Sequence, residues 1–161
     1  MAARLYLLRH GQAAPPDGGD WQADHQRELT TQGQDEIRHL AQRVAALGVS
    51  VEVALVSSAL RTRQTAELMG LKPERLCDEL YNADASDILQ LLRGLPKTCQ
   101  SAVVVAHNPG ISWLAASLLR PQNTPGFAPG TWLEIELACA WSELAPQAGQ
   151  LLRRLNPPDY A

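Results

Sequence analysis

Short apolar runs alternate along the chain with segments in which apolar residues recur every three or four positions. The runs are typical of strands buried on both faces, and the spaced segments are typical of helices that bury one face. The predicted strands cover residues 4–8, 51–56 and 102–106, with a short extended segment near 75–80. The predicted helices cover residues 30–47, 59–69, 86–92 and 111–119.

The periodicity changes in the last quarter of the chain. Residues 132–137 alternate, with leucine and isoleucine on one side and Glu134 and Glu136 on the other. This alternation predicts a strand with one solvent-exposed face. We expect it to pair antiparallel with a second strand over residues 151–155.

Repeated strand–helix units followed by an antiparallel end predict an α/β fold. We expect a three-layer α/β/α sandwich that forms a single domain over residues 1–161, with a mostly parallel central sheet and an antiparallel edge. The segments 12–29 and 120–130 follow neither period and are predicted to be irregular loops. Loops of this kind often carry function in compact domains.

Composition narrows the classes of protein to consider. The chain has 161 residues, 45% hydrophobic and 19% charged, which suits one compact domain with a core of its own. A net charge of −3 argues against a nucleic-acid partner. No apolar run approaches the ~20 residues of a membrane span and no signal segment opens the chain, so we expect a soluble, cytoplasmic protein without a membrane partner.

Three cysteines, Cys77, Cys99 and Cys139, lie more than twenty residues apart along the chain. Their odd number and wide spacing suit neither a disulfide framework nor a zinc site. We therefore expect free thiols that pack as small hydrophobic groups, and no bound metal.

Cationic and imidazole side chains follow three of the predicted strands. Arg9 and His10 end the first strand, Arg61 begins the helix after the second, and His107 directly follows residues 102–106. Ligands of open α/β sheets bind at the carboxyl ends of the strands, so these side chains are expected to converge. Guanidinium groups match phosphate oxygens, and a neutral imidazole is a competent nucleophile toward phosphorus. The set predicts phosphoryl transfer that needs neither a metal nor a cofactor.

The order and spacing of these residues resemble the histidine phosphatase superfamily. Within it, the short chain is similar to the small SixA-type phosphohistidine phosphatases. The resemblance covers the chain from Leu5 to about Leu119, and it implies a phosphoglycerate-mutase-like fold. The stretches that carry it are Arg9-His10-Gly11, residues 57–65 (SSALRTRQT), residues 27–33 (RELTTQG) and His107-Asn108-Pro109.

The resemblance implies a role for each matching residue. His10 is the expected nucleophile, which becomes phosphorylated. Arg9 and Arg61 are expected to clamp the phosphoryl oxygens, and His107 to donate a hydrogen bond to one of them. Gly11 is expected to let the backbone pass close to the anion, since it has no Cβ.

Less specific matches give the remaining candidates. Gln12 and Asn108 are expected to line the pocket, while Arg27 either contacts the phosphate or orders its loop. Many relatives carry a carboxylic acid that protonates the leaving group, either beside the late histidine, where this chain has Asn108, or after the third strand. Glu79 is the best match for the second position, although a solvated surface residue is an equally good interpretation.

These residues predict a hydrolase that works through a phosphohistidine intermediate. The favoured substrate is a phosphohistidine on a partner protein. Two alternatives stay open: a phosphomonoesterase acting on a small phosphorylated metabolite, and a non-catalytic module that binds phosphate or a phosphoprotein. Because an unprotonated His10 has to attack, activity is expected to fall at acidic pH.

Overall fold

A computed structural model of the chain describes residues 2–72, 75–120 and 126–157. Six strands within those ranges form one sheet. They are β1 (Arg4–Arg9), β2 (Val53–Ser57), β3 (Arg75–Cys77), β4 (Ser101–Ala106), β5 (Trp132–Leu137) and β6 (Gly149–Leu155). The order across the sheet is β3-β2-β4-β1-β5-β6. The first four strands in that order run parallel, and β5 and β6 form the antiparallel edge, as predicted.

The helices of the described residues connect these strands. They are α1 (Trp21–His25), α2 (Thr31–Ala46), α3 (Leu60–Leu68), α4 (Ala85–Arg93) and α5 (Gly110–Leu118). Short 3₁₀ turns cover Asp78–Leu80 and Trp141–Glu143. Among the described residues, no helix combines the length and the apolar character that crossing a membrane requires.

The sheet separates two apolar cores, which confirms the predicted three-layer sandwich. Helices α4 and α5 pack on one face, where Leu5 and Leu7 of β1 point. Helices α2 and α3 pack on the other face, together with Tyr6 and Leu8 of the same strand. Because β1 is covered on both faces, its sequence is a continuous apolar run rather than an alternating one.

The prediction of a solvent-exposed face on β5 is wrong at Glu134. This residue is only 5% exposed, and its carboxylate lies 2.7 Å from Arg4 Nη1 and 2.9 Å from Arg153 Nη1. Two flanking strands each supply one arginine, so the buried charge is paired on both sides. Glu136 on the same face is partly exposed and follows the prediction better.

The prediction for residues 12–29 is also incomplete, because this segment contains α1. Asp20 caps that helix by accepting a hydrogen bond from the Ala23 amide at 2.8 Å. Of the second predicted loop, residues 121–125 lie outside the described residues. The prediction of free thiols is confirmed for Cys77, Cys99 and Cys139.

A glycine in α2 brings the segment after β1 close to this helix. A Cβ on Gly33 would lie 2.2 Å from the backbone oxygen of Gln12, far inside contact distance. The side chain of Thr30 caps the same helix by accepting from the Gly33 amide at 2.9 Å. The absence of a side chain at position 33 thus fixes how closely the chain that follows β1 approaches α2.

We expect Gly33→Ala to lower the free energy of unfolding by about 1–3 kcal/mol, because the clash is with backbone that has no alternative rotamer. The matched control is Gly94→Ala at the end of α4, where a Cβ meets nothing closer than 3.5 Å. That control should change stability by less than about 0.5 kcal/mol. Urea unfolding of the two variants is the measurement, and equal stability of both would contradict the packing interpretation.

Candidate active site

Two histidines lie side by side at the carboxyl edge of the sheet because β1 and β4 pair in parallel. Arg9 is opposite Ala106 in this pairing, so His10 and His107 leave the sheet at the same level. Their ring centroids are 5.3 Å apart, and both residues are buried. The structure thus brings together the two histidines that the sequence analysis singled out.

Two arginines reach the same place from different elements. Arg9 ends β1, and Arg61 lies in the first turn of α3, where it is 5% exposed. Each guanidinium is anchored through Nη1, which donates to the Phe127 carbonyl at 2.8 Å for Arg9 and to the Asp24 carbonyl at 2.8 Å for Arg61. The Nε atom of each arginine is buried and has no hydrogen-bond partner among the described residues.

The imidazole of His10 has its lone pair on Nε2. Its Nδ1 lies 2.7 Å from the carbonyl oxygen of Gly11. A carbonyl oxygen only accepts, so Nδ1 carries the hydrogen and Nε2 does not. Burial lowers the pKa of His10 to about 4, and the charges of Arg61 and Arg9 act in the same direction. At neutral pH this ring is therefore uncharged and can act as a nucleophile.

The second histidine is held by a serine of the neighbouring strand. Nε2 of His107 lies 2.7 Å from Ser57 Oγ at the end of β2. Its Nδ1 is buried and has no partner among the residues described. Burial lowers the pKa of His107 to about 3, and the nearby charge of Arg61 adds to the effect. The ring is neutral, with one nitrogen committed to Ser57 and the other available to a ligand.

Gly11 and Gln12 connect the nucleophile to the two helices behind it. The Gly11 amide donates to Thr65 Oγ1 of α3 at 3.1 Å. Gln12 Oε1 accepts from the hydroxyl of Thr30 at 2.6 Å, at the start of α2. Gln12, which is predicted to line the pocket, is thus engaged by the protein itself, and Gly11 occupies a place where a Cβ would lie 2.9 Å from Ile37.

A third cation, Arg27, lies at the rim of the same group. Its Nε donates to the Ala14 carbonyl at 2.7 Å, which ties the loop that contains it to the chain after β1. Its charge nevertheless contributes to the lowered pKa of His10 and of Arg9. Arg27 therefore orders its loop and lies close enough to the site to act on it electrostatically, while its contact with phosphate stays a prediction.

The last two candidates lie further out. Asn108 is exposed, donates through Nδ2 to the Phe127 carbonyl at 3.0 Å and accepts from the Ser112 hydroxyl. It therefore braces the loop that also anchors Arg9. Glu79 is exposed on the first 3₁₀ turn, and within the described ranges its carboxylate forms no hydrogen bond or ion pair. Its role as a proton donor stays a prediction.

Two residues that the sequence analysis passed over join this site. Asp24 on α1 lies 3.4 Å from Arg61 and 3.2 Å from Arg27. Tyr81 donates its hydroxyl hydrogen to Asp24 Oδ2 at 2.5 Å, and its ring lies edge-on to His107 at 5.9 Å. Asp24 stands in a segment without periodicity, so nothing in the chain marked it. Tyr81 follows the third strand closely, and that position was the available signal.

The described residues contain no cluster of three potential metal ligands. What the site offers is a neutral imidazole with a free lone pair beside three cations and one carboxylate. Buried donors that have no partner within the described part of the chain surround it, and this combination suits a tetrahedral oxyanion.

Comparison with known proteins agrees with this chemistry. The profile of the histidine phosphatase superfamily (branch 1) matches residues 5–91. The chain belongs to the histidine phosphatase superfamily. Phosphohistidine phosphatase SixA of Escherichia coli (strain K12) is 31% identical in an alignment of 131 positions that covers 77% of this chain and 79% of that protein.

Solved structures support the same placement among the histidine phosphatases. The protein histidine phosphatase SixA in complex with tungstate has a TM-score of 0.82 at 28% identity, covering 98% of this chain and 99% of the other. A SixA protein from Nakamurella multipartitia has a TM-score of 0.87 at 29% identity, covering 98% and 97%. The protein is therefore a SixA-like hydrolase with the phosphoglycerate-mutase-like fold. Metal-independent chemistry is consistent with this family.

Burial of the two neutral histidines makes stability depend on pH. Because the folded-state pKa values, about 4 for His10 and about 3 for His107, lie below the ordinary 6.5, the unfolded chain takes up these protons first as pH falls. Stability is thus fully present above pH ~6.5 and is lost as pH falls toward the folded-state values. As pH falls from about 7.5 to about 5, protonation of each histidine in the unfolded chain should lower the free energy of unfolding by about 2 kcal/mol.

His10→Gln and His107→Gln should each remove one such contribution, which urea unfolding at the two pH values measures. The same substitution at His39, exposed on α2, is the control for loss of a histidine. If His10→Gln and His107→Gln lost as much stability on acidification as the unsubstituted protein, the two rings would not be buried in neutral form.

Proposed function

We propose that this protein hydrolyses phosphohistidine on a partner protein through a covalent intermediate on His10. One observation carries the proposal. The lone pair of His10 Nε2 is free in a buried site, beside buried donors on Arg9, Arg61 and His107 that have no partner among the described residues. The phosphorus of a phosphoryl group would be the electrophile for the lone pair of His10, and its oxygens would accept hydrogen bonds from the buried donors.

In the first step, Nε2 of His10 attacks phosphorus in line with the leaving group. The P–Nε2 bond forms while the bond to the leaving atom breaks, and its electron pair stays on that atom. Arg9, Arg61 and His107 hold the equatorial oxygens, where charge accumulates in the transition state. For His107 to donate through Nδ1, the hydroxyl of Ser57 has to donate to Nε2, and the 2.7 Å contact between them permits this.

In the second step, water attacks the phosphorus of phospho-His10. The P–Nε2 bond breaks, its electron pair returns to the imidazole, and orthophosphate leaves with both hydrogens of the water. The hydrogen on Nδ1 stays on the ring and bonded to the Gly11 carbonyl throughout, so phospho-His10 is an imidazolium, and the ring ends in the tautomer in which it began. Because burial lowers the pKa of His10 to about 4, loss of the phosphoryl group returns the ring to the neutral form in which the cycle begins.

The leaving group argues for phosphohistidine as substrate. An alkoxide needs a proton donor, and the predicted donor Glu79 is exposed and forms no hydrogen bond or ion pair among the described residues. An imidazole that already carries a hydrogen on its other nitrogen can leave without one. The similarity to SixA proteins, one of them described as a protein histidine phosphatase, supports a substrate on a partner protein.

We expect His10→Ala to lower phosphate release on the order of 10³-fold or more, from a phosphohistidine protein and from an aryl phosphate alike. A preference of the wild type for the phosphohistidine protein would support the substrate assignment, and a preference for the aryl phosphate would favour a small-molecule phosphomonoesterase. Acid-labile phosphate on His10 of the quenched wild type should appear by peptide mass spectrometry. Full turnover by His10→Ala would exclude the mechanism.

Arg61→Ala should lower kcat about 10²–10³-fold, since one preorganised donor to the transition state is removed. Arg38→Ala is the matched control, because Arg38 is exposed on α2 and pairs only with neighbours of its own helix among the described residues. Steady-state kinetics with both substrates is the measurement. Equal kcat values for the two variants would remove Arg61 from the phosphoryl clamp.

A further inference from the structure

Asp24 contacts two cations of the site, yet the reaction as proposed gives it no step. Its backbone carbonyl accepts from Arg61 Nη1 at 2.8 Å, and its Oδ2 lies 3.4 Å from Arg61 Nη2. Its Oδ1 lies 3.2 Å from Arg27 Nη1. Asp24 thus accepts hydrogen bonds from both terminal nitrogens of Arg61 and also pairs with the guanidinium of Arg27.

Tyr81 fixes this carboxylate from the opposite side. Its hydroxyl donates to Asp24 Oδ2 at 2.5 Å. The hydroxyl oxygen of Tyr81 also lies 3.3 Å from the Trp21 carbonyl oxygen. Burial and the charge of Asp24 raise the pKa of Tyr81 to about 12, so the phenol keeps its hydrogen and remains a donor. Burial alone would raise the pKa of Asp24, but the hydrogen bond from Tyr81 and the charge of Arg61 outweigh it and lower the pKa.

The contacts leave Arg61 with a defined orientation. Nη1 and Nη2 each direct one hydrogen to Asp24 and keep a second, and Nε is buried and has no partner among the described residues. Arginine has many rotamers, and a guanidinium that is already fixed loses less freedom when it binds an oxyanion. Orientation of this kind lowers a barrier only if the donor is held where charge develops.

A carboxylate beside a phosphate clamp also has an opposing effect. Its negative charge weakens the attraction between Arg61 or Arg27 and any bound phosphate, since Coulomb terms of opposite sign act on the same anion. The two effects fall on different quantities: orientation acts on turnover, and repulsion acts on the affinity for phosphate.

We propose that Asp24 is a positioning residue, which holds Arg61 in the orientation that phosphoryl transfer requires and does so at the expense of phosphate affinity. Tyr81 fixes the carboxylate in this role. The inference rests on the proposed function, because it assumes that Arg61 binds the transferred phosphoryl group.

The test is Asp24→Asn, which keeps the size of the side chain and removes its charge. We expect kcat to fall ~10–10²-fold on both the phosphohistidine protein and the aryl phosphate, because the transferred group is the same. The inhibition constant of inorganic phosphate should fall several-fold, which means tighter binding, because the repelling charge is gone. Tyr81→Phe should lower kcat by a smaller factor and leave the inhibition constant within ~2-fold of the wild type, because the Asp24 carboxylate keeps its charge.

Asp20→Asn is the matched control. It removes an equal charge from the same short helix, and asparagine caps a helix about as well as aspartate, so α1 stays intact. Its kcat and phosphate inhibition should stay within ~2-fold of the wild type, as is usual for an exposed position. Thermal unfolding of all variants checks that differences in turnover do not follow differences in stability.

Several results would overturn the inference. Unchanged kcat in Asp24→Asn would show that the carboxylate does not position Arg61. Weaker inhibition by phosphate together with lower kcat would make Asp24 part of ordinary binding, and a loss confined to the phosphohistidine protein would make it a leaving-group contact. A loss in Asp20→Asn as large as in Asp24→Asn would assign the effect to net charge. Failure of the wild type on both substrates would refute the proposed function instead.

Discussion

The parallel pairing of β1 with β4 is the constraint on which the rest of the structure depends. Both strands are covered by helices on both faces, and their register places Arg9 opposite Ala106. A slip of one residue would turn every side chain of the strand to the other face of the sheet, so two buried cores hold this register. Because His10 and His107 each follow directly, the register that satisfies the cores also sets the two rings 5.3 Å apart.

The chemistry of the site follows from burial more than from any single contact. Burial keeps both imidazoles neutral beside cations, and it leaves Arg9 Nε, Arg61 Nε and His107 Nδ1 without partners among the described residues. Each unmet donor of this kind costs about 1–3 kcal/mol in a folded protein. A site that carries such costs is typical of functional rather than purely structural clusters, since a ligand can offset them.

The segment between β1 and α2 governs how the cations are used. Near β1 it is anchored where Gly33 lets the backbone of Gln12 approach α2. Further along it is anchored by α1, in which the Asp24 carbonyl accepts a hydrogen bond from Arg61. The sheet edge supplies the nucleophile, and this segment supplies the carboxylate that Arg61 contacts. The described site thus combines a rigid sheet edge with a short surface helix, a division often found where binding residues lie on loops.

The sequence by itself determined the sheet strands and the helices other than α1, the mixed sheet, and the residues that adjoin strand ends, including Arg9, His10, Arg61 and His107. Their positions follow from local chain direction, because a residue next to a buried strand emerges at the edge of the sheet. Only the tertiary structure decided the contacts of Asp24, Tyr81 and Glu134. Asp24 bonds to Arg61, 37 positions away, and Tyr81 bonds to Asp24, 57 positions away. Glu134 bonds to Arg4, 130 positions away. Periodicity reports which face of an element is buried, whereas a pairing of charges across such separations depends on how whole elements pack, and no local pattern records it.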